Sequence, residues 1–307
     1  METLPSIPAA PAGFRSGFVA LVGRPNVGKS TLFNHLLGQK VAITSPVAQT
    51  TRNRLRGILT TATAQFIFVD TPGIHKPHHR LGEVLVHNAK GVLNRVDAIV
   101  FVVDAASPPG RGDRYVAALL TTTQSPVLMA INKIDLLPAE KRAQRQQEYQ
   151  TLGPWPSYPC SALTGEGVQL LQAAIEEQLP PGPYYYPPEM VTDQPERFIM
   201  AELIREQILH HTREEVPHSV AVTIEMVQQE RHLTRVHAVI YVERPTQKAI
   251  IIGQGGQLLK QIGSAARQEM ETLMGGKIYL ELFVKVRPRW RQDRLRLAEL
   301  GYRIEKD

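Results

Sequence analysis

FVALVGRPNVGKST, residues 18–31, runs from a β-rich apolar segment through a glycine-punctuated turn into a stretch of helical character. Its second part, from Gly23 to Thr31, fits G-x-x-x-x-G-K-[ST], and the preceding strand and following helix supply the context that gives this short pattern weight. Gly23, Arg24, Pro25, Asn26, Val27 and Gly28 form a loop whose N–H groups converge on phosphates at a helix N-terminus. Lys29 then reaches the outer phosphates, Ser30 ligates Mg²⁺, and Thr31 completes the motif. A chance glycine turn is the competing reading, and the strand-to-helix context disfavours it.

Outward from this loop, the β-rich runs AQFIFVD, AIVFVVD and VLMAIN end at polar residues and alternate with helical stretches as far as Leu179. That order predicts an α/β domain over residues 17–179, doubly wound around a mostly parallel sheet, with its ligand at the carboxyl ends of the strands. Composition agrees: 307 residues, 43% hydrophobic and 21% charged, suit a globular chain of two domains. Residues 1–16, with three prolines and no apolar stretch, read as a disordered leader and fail as a signal peptide. No run approaches the roughly 18 apolar residues that a membrane span needs. The single Cys160 reads as a buried strand thiol in a reducing cytoplasm.

NKID names the nucleotide. Asp135 can accept hydrogen bonds from N1–H and the N2 amino group of guanine, whereas adenine offers neither donor and would leave the carboxylate unpaired. Asn132 is expected to tie this loop to the phosphate loop, and the stem of Lys133 to lie over the base. SAL, with Ser161 and Ala162, would present a backbone N–H to the guanine O6. In DTPGI, the residues Asp70, Thr71, Pro72, Gly73 and Ile74 complete the phosphate end, Asp70 holding Mg²⁺ through water and Gly73 N–H meeting the γ-phosphate. Together these elements resemble the translation-factor class of small GTPases. The resemblance assigns QTTRN (Gln49, Thr50, Thr51, Arg52, Asn53) to the first switch and makes Thr51 the second hydroxyl ligand of Mg²⁺, with Thr50 as the competing candidate.

Where Ras-like GTPases carry a water-orienting glutamine, this chain has Ile74, which predicts slow intrinsic hydrolysis. Asn26 resembles the asparagine that binds K⁺ beside the phosphates in several bacterial GTPases, so K⁺ joins Mg²⁺ as an implied cofactor. Its alternative role is to brace the loop. HKPHHR, from His75 to Arg80, reads as a flexible second switch with solvated histidines rather than a metal site. His210 and His211 end a helix, where the dipole favours cations.

A proline-rich stretch, residues 180–196, reads as a linker. Beyond it the pattern is helix, two alternating strands, helix, glycine turn, helix, strand: an α+β domain over 197–287. In KAIIIGQGGQLLKQIG the glycines form G-x-x-G between two helices, which excludes a dinucleotide fold and resembles the type II KH domain. KH loops clamp about four nucleotides of single-stranded nucleic acid. Ile252, Gly253, Gln254, Gly255 and Gly256 would contact RNA, Ile251, Leu259 and Ile262 would join Ile252 in the groove floor, and Lys260 and Arg267 would meet phosphates. Gln254 stands where many such loops are basic, shifting weight to a basic tail over 288–307 and its approach. Between Lys285 and Arg296 six basic residues, among them Lys285, Arg287, Arg289 and Arg291, face one acid.

Over nearly its whole length, most specifically in the tail LELFVKVRPRWRQDRLRLAELGY, the chain resembles the Era-like family of bacterial GTPases. That resemblance implies a monomer that binds GTP, GDP and 16S rRNA near its 3′ end, assembles the small (30S) subunit and associates partly with the inner membrane. Two other classes compete. A GTP-using RNA-modifying enzyme lacks any second catalytic motif, and a peripheral membrane GTPase would lay Trp290, Leu295, Leu297 and Leu300 on anionic lipid.

Overall fold

The computed structural model describes residues 7–47, 50–74 and 80–303. In the first half, β1 (Arg15–Val22), α1 (Lys29–Leu37), β2 (Leu55–Thr60), β3 (Ala64–Asp70), α2 (Arg80–Val92) and β4 (Ala98–Asp104) are followed by α3 (Arg111–Leu120), β5 (Val127–Asn132), α4 (Ala139–Gln150), β6 (Ser157–Pro159) and α5 (Val168–Gln178). The sheet order is β2-β3-β1-β4-β5-β6, and only the β2–β3 pair is antiparallel. Every residue of β3 and β4 is buried, as expected of central strands covered on both faces. Val19 and Leu21 pack with α1 and α5 on one side, while Ala20 and Val22 pack with α2, α3 and α4 on the other. Alternate side chains of one strand thus hold both helical layers.

The second half contains α6 (Glu196–His211), the short α7 (Val216–Ser219), β7 (Ala221–Gln229), β8 (Thr234–Val242), α8 (Pro245–Ile252), α9 (Gln257–Met274), β9 (Ile278–Val286) and α10 (Arg294–Glu299). Here β7 and β8 are antiparallel, and β9 joins β8 in parallel at the edge of a three-stranded sheet. Fold class is therefore an α/β domain with a mostly parallel sheet followed by an α+β domain, as the sequence leads one to expect.

Three local expectations are corrected. Phe14 is buried and Arg15 and Ser16 already belong to β1, so the ordered chain begins before residue 17. The proline-rich segment is no free tether. Gln65 accepts the N–H groups of Tyr185 and Tyr186 at 2.7 and 3.0 Å, Ile58 N–H donates to the Val191 carbonyl at 2.7 Å, and Arg56 pairs with Asp193 at 2.7 Å. Prolines keep this strap extended while its remaining backbone groups bond to the sheet's edge. Finally, β2 escaped the sequence pattern: Gly57 interrupts it, because a Cβ there would lie 2.3 Å from Leu37.

Candidate functional site

The phosphate loop leaves β1 and enters α1 with Gly28 at φ +93°, where a Cβ would lie 2.3 Å from Asn132 Nδ2. Asn132, closing β5, donates to the Val27 carbonyl and accepts from Ala162 N–H, both at 2.8 Å. One buried amide therefore joins the phosphate loop, the NKID loop and the SAL loop. Ser161 N–H is spent on Glu166, so the open donor of that last loop, among the described residues, is Leu163 N–H. Lys133, at φ +66°, donates to the Asn26 carbonyl and to Asp104, both at 2.7 Å. Asp135 is exposed, and no partner holds its carboxylate among the described residues.

At the phosphate end, three oxygens converge. Ser30 Oγ lies 2.7 Å from Asp70 Oδ2 and 2.8 Å from Thr51 Oγ1, which is itself 3.0 Å from Asp70 Oδ2. Thr50 turns away and donates to the Val47 carbonyl at 2.6 Å. Asp70 is fully buried and its Oδ1 has no protein partner. Burial pushes its carboxyl above the usual range, against the opposing pull of Lys29, Ser30 and Thr51. A buried carboxylate with an orphaned oxygen beside two hydroxyls fits a small hard cation such as Mg²⁺. Lys29 folds back onto the carbonyls of Gly23 and Arg24 at 3.2 and 3.0 Å, and burial lowers its ammonium to about 8.

Gly73 approaches so closely that a Cβ would lie 2.8 Å from Pro25. With Pro25, Asn26, Lys29, Ser30, Thr31 and Thr51 it lines one pocket. Several of the expected phosphate residues stand apart, among them Thr71, which is wholly buried and donates its hydroxyl to the Leu21 carbonyl at 2.8 Å. Ile74 is wholly buried in the core and donates its N–H to Gly23, Val27 is wholly buried, and the Arg24 side chain is held by Asp113 at 3.1 Å. Asn26 donates from Nδ2 to the Pro46 carbonyl at 2.9 Å. Gln49 and the histidines 75, 78 and 79 lie outside the described residues.

The first switch segment and α2, which follows the second, meet the second domain. Arg52, 2% exposed, donates to the carbonyls of Val220 and Pro217 and lies over the Tyr302 ring. From α6, Arg205 donates to the Thr50 carbonyl, Glu206 accepts Thr44 N–H at 2.8 Å and Lys40, and His210 bonds the Thr44 carbonyl. Asn53 follows in the same segment, half-buried. Leu81, Val84 and Leu85 of α2 pack with Trp290, Leu297, Leu300 and Tyr302 of the tail. Sequence reasoning missed Arg205 and Glu206, although two buried charges inside the apolar run of α6 were a signal.

At the KH loop, Gly253 (φ +71°, ψ 178°) occupies a conformation reserved for glycine, and a Cβ would lie 2.8 Å from Leu258. Gln254 and Gly255 are exposed and Ile252 and Gly256 half-exposed. The adjoining groove, about 360 Å³, is lined by Leu259, Lys260, Gly263, Arg267, Leu280 and Leu282. The expected floor is corrected: Ile251 and Ile262 are fully buried towards the sheet, and β9 supplies Leu280 and Leu282 instead. Arg267 pairs with Glu271 at 3.3 Å, Arg287 with Glu299, and Arg291 with Glu243. Lys285 and Arg289 remain exposed, the latter near Arg80 and Arg294. Cys160 is buried, which pushes its thiol up to about 12.

Comparison with known proteins places these features together. The family described as 50S ribosome-binding GTPase matches residues 18–133, and the KH domain family matches 215–291. The chain is 61% identical over 307 residues to the GTPase Era of Synechocystis, covering 99% of this chain and 98% of that protein. It is also 61% identical to the GTPase Era of Nostoc, covering 98% and 94%. The crystal structure of Era in complex with MgGDPNP and nucleotides 1506–1542 of 16S ribosomal RNA superposes with a TM-score of 0.92 at 41% identity, covering 94% of this chain and 99% of that one. A variant of Aquifex aeolicus Era bound to GDP·AlF₄⁻ superposes with a TM-score of 0.91 at 41% identity over the same shares.

Proposed function

The chain belongs to the Era family of GTPases, and from that premise we propose a GTP-driven switch that grips 16S rRNA near its 3′ end and serves assembly of the 30S subunit. Its working parts are a GTPase unit that includes Phe14 and β1 from Arg15 and runs to 179, the strap 180–196, a KH unit over 197–287 and the tail 288–307. The observation that carries this reading is the docking of the first switch segment on the second domain, through Arg52, Thr50 and Thr44, and of α2, next to the second switch in sequence, on the tail. A nucleotide that reorders these segments shifts the second domain, because the two states then differ in contacts.

In the GTP site, Asp135 reads the N1–H and N2 groups of guanine, and Lys133 covers the base. Lys29 leaves its two carbonyl acceptors for the phosphates, which Gly73 N–H also meets. Ser30 and Thr51 would ligate Mg²⁺, and Asp70 would hold it through water. When bound, Mg²⁺ neutralises phosphate charge. No side chain at position 74 can orient water, so hydrolysis is slow unless another group assists. Asn26, beside the Pro46 carbonyl, is suited to share a K⁺ ion there; equal rates in K⁺ and Na⁺, with and without Asn26→Ala, would refute that role.

On the RNA side, Gly256 of the G-x-x-G loop, Lys260 and Arg267 line one groove, while Lys285 and Arg289 are offered to RNA phosphates from outside it. The relative solved with nucleotides 1506–1542 supports this assignment. The membrane reading loses ground. Trp290, Leu297 and Leu300 are occupied against α2, leaving only Leu295 of these four outward. Depletion of the protein tests the assembly role: precursors of the small subunit should accumulate while large subunits form normally. An unchanged subunit profile would refute it.

A further inference from the structure

Two strands end in an aspartate at the carboxyl edge of the parallel sheet, Asp70 of β3 and Asp104 of β4. Asp70 belongs to the hydroxyl cluster, whereas Asp104 has entered only as an acceptor for Lys133. Strand register sets it directly beside Asn132, and it is only 8% exposed. Asp104 Oδ1 accepts from Ala106 N–H at 3.0 Å, and its carbonyl accepts from the Tyr149 hydroxyl at 2.9 Å. That anchoring leaves Oδ2 facing two cations from different loops. Lys133 Nζ lies at 2.7 Å and Arg24 Nη2 at 3.8 Å. Arg24 is fixed in turn by Asp113, 1% exposed, and by the Ser107 hydroxyl at 3.2 Å. Lys133 has one other acceptor, the Asn26 carbonyl.

We propose that Asp104 is a positioning residue for the guanine nucleotide: it pins the ammonium of Lys133, and so holds the lysine stem across the face of the base. Without this carboxylate the ammonium keeps only the Asn26 carbonyl, and the stem is free to leave the base. The contact is with the ring face, so it serves any purine that enters and adds nothing to the choice that Asp135 makes. An ion pair that only stabilised the fold would lower thermal stability and leave nucleotide affinity alone. The inference rests on the reading of Lys133 as the residue that covers the base, and Lys133→Ala tests that reading separately.

Asp104→Asn retains an oxygen for Ala106 and removes the charge. Measured by titration with fluorescent GDP and by competition with IDP, which lacks the N2 amino group, Kd for both should rise about tenfold with their ratio unchanged. The rate of hydrolysis at saturating GTP should not change. In a Lys133→Ala background, the same substitution should add no more than about twofold, since its route is gone. Kd within about twofold of the wild type for Asp104→Asn would overturn the proposal, as would a full loss that persists in the Lys133→Ala background. If Lys133→Ala itself binds GDP normally, the base-covering reading fails and the proposal with it.

Discussion

Arg52→Ala removes a guanidinium that the first switch inserts into the second domain. Its two hydrogen bonds run from a charged donor to buried carbonyls, those of Val220 and Pro217, and such bonds contribute about 1.5–3 kcal/mol each. Contact with the Tyr302 ring adds about 0.5–1 kcal/mol. Desolvation opposes this: burial lowers the guanidinium pKa, and Nε is left without an acceptor. Offsetting part of the gain leaves a net of about 3 kcal/mol, or roughly a hundredfold in the docking equilibrium. Hydrogen exchange reads this locally. Thr44 N–H is protected by Glu206 across the same interface, whereas Ala162 N–H is protected by Asn132 inside the GTPase domain. Protection of Thr44 should fall by about a hundredfold in Arg52→Ala while Ala162 is unaffected. Arg56→Ala, which breaks a largely exposed pair with Asp193, should cost less than about 1 kcal/mol and serves as the control. Unchanged protection at Thr44 in Arg52→Ala would refute the docking reasoning.

Lys29 supplies a prediction in pH. Its empty-site pKa of about 8 is raised once phosphates surround the ammonium, so nucleotide binding takes up protons near pH 8 and affinity falls as pH rises above it. Calorimetry in buffers of different ionisation enthalpy should detect that uptake, and its absence would show that Lys29 does not turn to the phosphates. Asp135→Asn should weaken GDP binding and admit xanthosine diphosphate, because an amide can donate where the new base accepts; unchanged GDP affinity would remove Asp135 from the base site. Gly255→Asp enters open space at φ +58°, a region aspartate tolerates better than most residues. It should repel RNA phosphates by a factor of about ten or more while GTP binding stays intact; loss of both would mean that the two domains fold as one unit.

Contiguous motifs were legible because their chemistry is local. Gly23, Gly28, Lys29 and Ser30 sit within one turn of chain, and strand context told that loop apart from the G-x-x-G loop between two helices. Fold class followed from the same alternation of apolar runs. Choosing between Thr50 and Thr51 needed three dimensions, since adjacent hydroxyls differ only in which one turns towards Asp70. Helix phase hid the groove floor. Ile251 and Ile262 look alike to Leu259 in a list of apolar positions, yet they point into the core. Least legible were contacts spanning much of the chain, such as Arg52 with Pro217 and Tyr302, or Asn88 with the Arg303 carbonyl at 2.9 Å. Nothing in the local pattern of QTTRN says that its arginine will be buried in another domain. Those contacts join the first switch and α2 to the second domain.

The most direct test of that coupling is the affinity of the full chain for a fragment from the 3′ end of 16S rRNA, measured at one fixed salt concentration with GDP and with a non-hydrolysable GTP analogue. Fixed salt matters because phosphate contacts make every such constant depend on it. The docked first switch and α2 predict tighter binding in the GTP-like state, by about tenfold or more, and a smaller difference in Arg52→Ala. The same dissociation constant in both nucleotide states would contradict the account.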